Sequence, residues 1–193
     1  MKTKYRYTPL FESGELRHAG FRPENIAALV EEGVIERVKH GYYRLSYAAD
    51  LEEEQLIALL YPDGVICRYS ALCHFGYSDW TPSAWDIAVD RNTSKARFNI
   101  EYPPINPFYM TKEHLAYGVM QDDFNGIMLN VFDRDRLICE VIRSERKIDA
   151  EIFRKAVQAY VNDERHSISR LIEYASKRGM SKRVEERVGI WLV

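Results

Sequence analysis

The sequence predicts an α+β fold in which a small helical module closed by a β-hairpin precedes a larger mixed-sheet domain ending in helices. Three observations carry the prediction. Two short helical segments run straight into two β-rich stretches between residues 13 and 45. Alternating apolar runs recur between residues 65 and 132, and from Arg134 onward the apolar residues return every three to four positions.

Ser13 suits the N-cap of a helix over residues 14–19, with Gly20 ending it. Pro23 suits the first position of a second helix, in which Ile26, Leu29 and Val30 share a face and Gly33 follows the C-terminus. Residues 34–38 and 42–45 then read as strands about a three-residue turn, Lys39-His40-Gly41. Helix, helix, hairpin in this order outlines an N-terminal winged helix-turn-helix. In that motif the second helix enters the major groove of DNA and the hairpin, or wing, meets the backbone. A module this small is expected to pack on the rest of the chain.

Residues 51–61 form a helix stopped by Pro62, and Glu52, Glu53 and Glu54 in its first turns complement the helix dipole. Residues 65–67 read as a short strand, Ser70 as the cap of a helix over 71–75, and residues 85–89 and 98–102 as strands. Residues 117–120 and 127–132 add further strands, with a turn signal at Asn125-Gly126. Four helical patterns close the chain: Leu137-Ile138-Val141-Ile142, Ile152-Phe153-Ala156-Val157-Tyr160, Ile168-Leu171-Ile172-Ala175 and Val184-Val188-Trp191-Leu192. The expected division is a winged-helix module over residues 1–48 and a second domain over residues 49–193.

A hydrophobic content of 46% beside 29% charged residues supports a packed core over disorder. No stretch approaches the roughly 18 consecutive apolar residues of a membrane helix. Residues 1–7 are basic but lack an apolar run and a small-residue cleavage site, so no secretory signal is expected. That predicts a cytoplasmic chain with Cys67, Cys73 and Cys139 reduced. A net charge of −2 excludes a protein that coats nucleic acid by bulk positive charge. Local charge varies: residues 1–46 and 143–187 are mildly basic, whereas residues 50–63 hold five carboxylates, at 50, 52, 53, 54 and 63, and no base.

Three stretches carry a resemblance that spans nearly the whole chain: residues 29–43 from helix to wing, residues 70–76 (Ser-Ala-Leu-Cys-His-Phe-Gly), and residues 136–143 (Arg-Leu-Ile-Cys-Glu-Val-Ile-Arg). In order and spacing they resemble the AbiEi antitoxins, the transcription-regulator half of type IV toxin–antitoxin systems of abortive infection. The resemblance implies a protein that represses its own operon by binding repeats in promoter DNA, with self-association on the DNA. It also implies a second domain that counters a nucleotidyltransferase-like toxin without requiring a stable complex. Only about ten residues precede Gly14, a rod of roughly 15 Å if helical, so the first helix of the family pattern is expected to be truncated.

The DNA-binding candidates are Arg22 and Asn25 at the start of the second helix, suited to guanine and adenine edges, and Arg37, Lys39, His40 and Arg44 around the wing, suited to phosphates. Glu24, Glu31 and Glu32 on the same helix oppose them. Arg136, Arg143, Arg146, Lys147, Lys182 and Arg183, with Arg154, Lys155, Arg178 and Arg187, are candidates for a second basic surface facing nucleic acid or a partner.

Two other functional classes stay open. One is an interaction adaptor with a degenerate winged helix, which the acidic second helix favours. The other is a small hydrolase or nucleotidyltransferase using Asp86, Asp90, Asp133 or Asp135. Asp86 and Asp90 share a strand face but lie about 13 Å apart, too far to hold one ion, and Asp133 suits a helix N-cap. Ser70, Cys73 and His74 lack an orienting partner for nucleophilic catalysis. No close Cys or His pair marks a metal site, and no phosphate-loop or dinucleotide-binding motif occurs. Neither cofactor nor metal is expected. Trp80, Trp85, Tyr102 and Phe108, among Pro82, Pro103, Pro104 and Pro107, suit either core or an exposed patch.

Overall fold

Leu10–Glu12 (β1) pairs antiparallel with Tyr42–Leu45 (β3), which pairs antiparallel with Ile35–Lys39 (β2), giving a three-stranded sheet of order β1-β3-β2. Ser13–His18 (α1) and Pro23–Glu31 (α2) lie between β1 and β2 in the chain. The N-terminal segment is therefore a winged helix-turn-helix. A computed structural model describes residues 10–47 and 51–189. Within them the segment before α1 is a strand and not the end of a shortened helix. The expected secretory-signal status of residues 1–7, the boundary at residue 48 and the Trp191-Leu192 end of the last helix lie outside the described residues.

Two local expectations are corrected here. The Glu12 amide donates to Glu15 Oε2 at 2.7 Å, so α1 starts at Ser13 itself, one residue early. The wing turn is His40-Gly41 alone. Val38 is bulged between the Arg37–Tyr43 and Lys39–Tyr42 pairs, and this extra residue draws Lys39 into the strand.

The second sheet has five strands. It is built from Val65–Ile66 (β4), Trp85–Asp90 (β5), Ile105–Met110 (β6), Val119–Phe124 (β7) and Ile127–Phe132 (β8). Pairings β4–β5 and β7–β8 are antiparallel, β4–β8 and β5–β6 parallel. Asn125 and Gly126 both have positive φ, as the tight β7–β8 turn requires. The helices here are Glu53–Leu60 (α3), Arg68–His74 (α4), Lys112–Leu115 (α5), Arg134–Arg143 (α6), Ala150–Asn162 (α7), Ile168–Lys177 (α8) and Ser181–Val188 (α9).

Residues 98–102 do not form the expected strand. A short 3₁₀ turn, Lys95–Phe98, precedes a single bridge at Ile100, and the true edge strand is β6. Pro107 hid it from the sequence pattern, although an edge strand tolerates proline. Ser70 sits inside α4 and caps nothing; its Oγ accepts the Asp86 amide at 2.9 Å. The fold nevertheless closes around one core. Ile66, Leu72, Ile87 and Phe132 meet Leu137, Ile138 and Ile142 of α6, all at most 1% exposed. Leu10 joins that core, and Val38 and Tyr42 pack against it, so the winged segment leans on the larger part of the chain as its size demands.

Candidate nucleic-acid interface

The turn between α1 and α2 is set by Gly20 at φ +93°, from which the Gly20 and Phe21 amides donate back to Arg17 and Leu16 carbonyls at 3.0 Å each. Arg22 leaves this turn in extended conformation, Pro23 opens α2, and the Arg22 amide donates to Asn25 Oδ1 at 3.1 Å. Asn25, itself an exposed residue, thus fixes the start of the helix with its side-chain oxygen. Arg22 is exposed beside it, and so are Glu24, Glu31 and Glu32. Ile26 is the one residue of α2 that is buried.

On the wing, Arg37 and His40 are exposed and have no ion-pair partner among the described residues. Arg44 is half-buried and pairs with Glu36 directly across the ladder. Lys39 departs most from its expected place. Only 8% exposed, it lies 4.6 Å from the Tyr42 ring centre and 4.7 Å from that of Tyr61, and Nζ donates to the Arg97 carbonyl at 3.3 Å. Burial, with Arg97 adding to it and Glu12 opposing, lowers its pKa from 10.5 to about 8. The bulge at Val38 turned this side chain inward, so it sits away from the exposed cations.

The second basic set divides as sharply. Arg143, Arg146, Lys147, Arg154, Lys182 and Arg183 are exposed. Lys155 pairs with Asp79 at 3.2 Å and Arg187 with Glu145 at 2.9 Å. Arg136 is wholly buried and belongs to no surface. Its guanidinium lies 4.2 Å from the Tyr117 ring centre, donates to the His114 carbonyl at 3.1 Å and meets Glu140 at 2.8 Å. Arg178, 3% exposed at its side chain, meets the same carboxylate at 2.8 Å. The i, i+4 spacing of Arg136 and Glu140, flanked by the apolar residues Leu137, Ile138, Val141 and Ile142, was the available signal.

Three of the four acidic candidates, Asp86, Asp133 and Asp135, tie separate elements together, whereas the Asp90 carboxylate accepts only the nearby Asn92 amide among the described residues. Asp133 caps α6 through the Arg136 amide and accepts the Tyr174 hydroxyl at 2.9 Å. Asp135, fully buried, accepts from Tyr160 Oη, the Ser167 amide and Arg170 Nε at 2.7 to 2.8 Å. Asp86 accepts from the Tyr69 amide and Asn106 Nδ2, and burial raises its pKa despite both. His74 meets Asp122 at 3.0 Å and stacks on Phe124 at 3.7 Å, while the Ser70 hydroxyl is engaged by the Asp86 amide. Of the aromatic set, Trp80 and Tyr102 are exposed and Trp85 and Phe108 half-buried. No helix among the described residues is long and apolar enough to cross a membrane.

Residues 6–46 match the family described as "Transcriptional regulator, AbiEi antitoxin". The match covers helices, wing and bulge, the segment in which Arg22, Arg37 and His40 are exposed. The whole fold is similar to the crystal structure of the RV2827C protein from Mycobacterium tuberculosis, with a TM-score of 0.68 and 14% identity, covering 97% of this chain and 72% of that one. At that identity the likeness is one of fold. No curated protein sequence matches.

Proposed function

Taking residues 6–46 as an AbiEi antitoxin regulator segment, we propose that the chain represses its own operon by binding repeated promoter DNA and that residues 49–193 counter a nucleotidyltransferase-like toxin. The observation that carries the reading is the exposure of Arg22 and Asn25 at the head of α2 together with Arg37 and His40 on the wing. A helix N-terminus in the major groove brings Arg22 to guanine O6 and N7. Asn25 Oδ1 keeps a second lone pair and Nδ2 is a donor, so both can engage adenine without breaking the cap. Arg37 and His40 take phosphates. Arg44, offset by Glu36, adds little charge, and Lys39 holds the wing to the larger part instead of touching DNA.

The exposed carboxylates of α2 repel phosphate, so one copy binds weakly and two copies on paired half-sites bind usefully. This is the work of a regulator in the cytoplasm and involves no catalysis. Titration of the promoter duplex against a scrambled duplex at two salt concentrations is the test. Tighter binding to the promoter supports repression; equal binding to both, or none at low salt, favours the adaptor reading suggested by Glu24, Glu31 and Glu32. For the toxin, a full-length Arg22→Ala, Arg37→Ala variant should lose repression yet still rescue growth when co-expressed with the toxin.

A further inference from the structure

A cleft of about 380 Å³ opens between α3, α4 and the β7–β8 turn, with Glu53, Glu54, Cys73, His74, Trp85 and Phe124 among its walls. One wall is aromatic: His74 stacks on Phe124, and the Trp85 ring centre lies 6.1 Å from that of Phe124. Beside it are two carboxylates held in place by neutral donors. Trp85 Nε1 donates to Glu53, and Asn125 Nδ2 donates to Glu54 at 2.7 Å. Neither carboxylate has an ion-pair partner among the described residues, so both bring their full charge to the cleft. The helix dipole stabilises charge in this first turn of α3, and Trp85 and Asn125 fix where it points. His74, the one basic side chain of the lining, is matched by Asp122 at 3.0 Å.

We infer that this cleft receives a cationic side chain, an arginine above all, from a protein partner. A phosphate-bearing ligand would meet two unneutralised carboxylates, and an apolar one would strip them of water without replacing it. A guanidinium satisfies both walls at once, stacking its plane on the rings while its N–H groups donate to Glu53 and Glu54. An ammonium answers the charge but offers no planar face to a ring, which ranks lysine second. The volume fits one side chain with flanking backbone, the scale of an anchor in a larger contact. The cleft lies outside the winged segment, so its occupancy does not depend on the operator reading.

The protein carries its own reporter. Cys73 lines the cleft and is half-buried, whereas Cys67 and Cys139 are buried. On the full chain without DNA, a hexa-arginine peptide should slow alkylation of Cys73 by an uncharged maleimide, while hexa-citrulline, nearly isosteric and neutral, should not. Replacing Glu53 and Glu54 by Gln keeps an acceptor for Trp85 and Asn125 and should weaken the peptide on the order of tenfold per carboxylate, the worth of one charged hydrogen bond. The inference fails if citrulline protects equally, if the double variant binds hexa-arginine unchanged, if adenosine monophosphate protects Cys73 instead, or if hexa-arginine gives no protection. The citrulline comparison uses the unaltered protein and therefore decides the matter even if the double variant folds poorly.

Discussion

Lys39 of the wing donates from Nζ to the main-chain carbonyl of Arg97, 3.3 Å away and 58 residues further along the chain. Its backbone also bridges to Ile100, and its ammonium lies between the Tyr42 and Tyr61 rings, one from each side of the contact. A cation between two aromatic faces is attracted to both, yet it has given up most of its water. This one side chain therefore joins the wing to the rest of the molecule and senses how tightly the two are pressed together.

Stability should consequently rise with pH across the alkaline window of Lys39. The ammonium releases its proton near pH 8 in the folded protein and near 10.5 unfolded, so between those values the unfolded chain binds more protons and a rise in pH favours folding. Below about pH 8 both states are protonated and the contribution is flat. Urea midpoints measured from pH 7 to 10 should show a rise in the wild type that is missing from Lys39→Met. Parallel pH profiles for the two proteins would mean that the ammonium is not desolvated as described.

Glu140 is expected to be among the costliest carboxylates to neutralise. It faces three guanidiniums, of which Arg136 at 0% and Arg178 at 3% side-chain exposure are buried and Arg143, at 3.7 Å, is exposed. Glu140→Gln should lower unfolding free energy by about 3–5 kcal/mol, because the buried cations keep their charge and lose their counter-ion. Combining it with Arg136→Met should recover part of that loss, since one orphaned charge is then gone. Urea denaturation of the two variants compares them, and a double variant no better than the single would show that Arg136 matters through packing on Tyr117 rather than through charge.

Residues that announce themselves by spacing were legible in the sequence. Pro23 and Gly33 bound α2, Asn125-Gly126 marks a hairpin, and Asp133 caps α6. Residues whose roles depend on a distant partner were not. Lys39 looks like a tip residue until the bulge at Val38 turns it toward Arg97 and Tyr61. Arg136 shares a helix face with exposed Arg143 in projection, yet the Tyr117 and Phe132 rings and the His114 carbonyl close over its guanidinium. β1 consists of three residues, too few for alternation to register, and is defined by β3. The Glu53–Trp85 contact joins α3 to β5 across 32 positions, and no local pattern could reveal it.

The wing's charge balance is testable through Glu36. Because it pairs with Arg44 across the ladder, Glu36→Gln removes one carboxylate from the wing and should tighten promoter and scrambled DNA alike, by the roughly 1 kcal/mol or less that one partly exposed charge contributes. Tightening of the promoter duplex alone would assign Arg44 to base reading instead.

Salt dependence measures how many cations reach the phosphates. Were Arg22, Arg37, Lys39, His40 and Arg44 all neutralising one phosphate each, log affinity per protomer would fall with log salt at a slope of about −4.5. The geometry removes Lys39, which is buried, and discounts Arg44, which is paired with Glu36. That leaves about two or three phosphates and a slope of about −1.8 to −2.7 per protomer, doubled when two copies occupy one repeat. Arg37→Ala should reduce the slope by about 0.9 and weaken all sequences equally, whereas Arg22→Ala should cost about 1–3 kcal/mol of discrimination at one base-pair position. Lys39→Ala is the decisive control. It should leave the slope unchanged; a drop of about 0.9 would put its ammonium on a phosphate, and the wing would then have to swing away from Tyr61 when DNA binds.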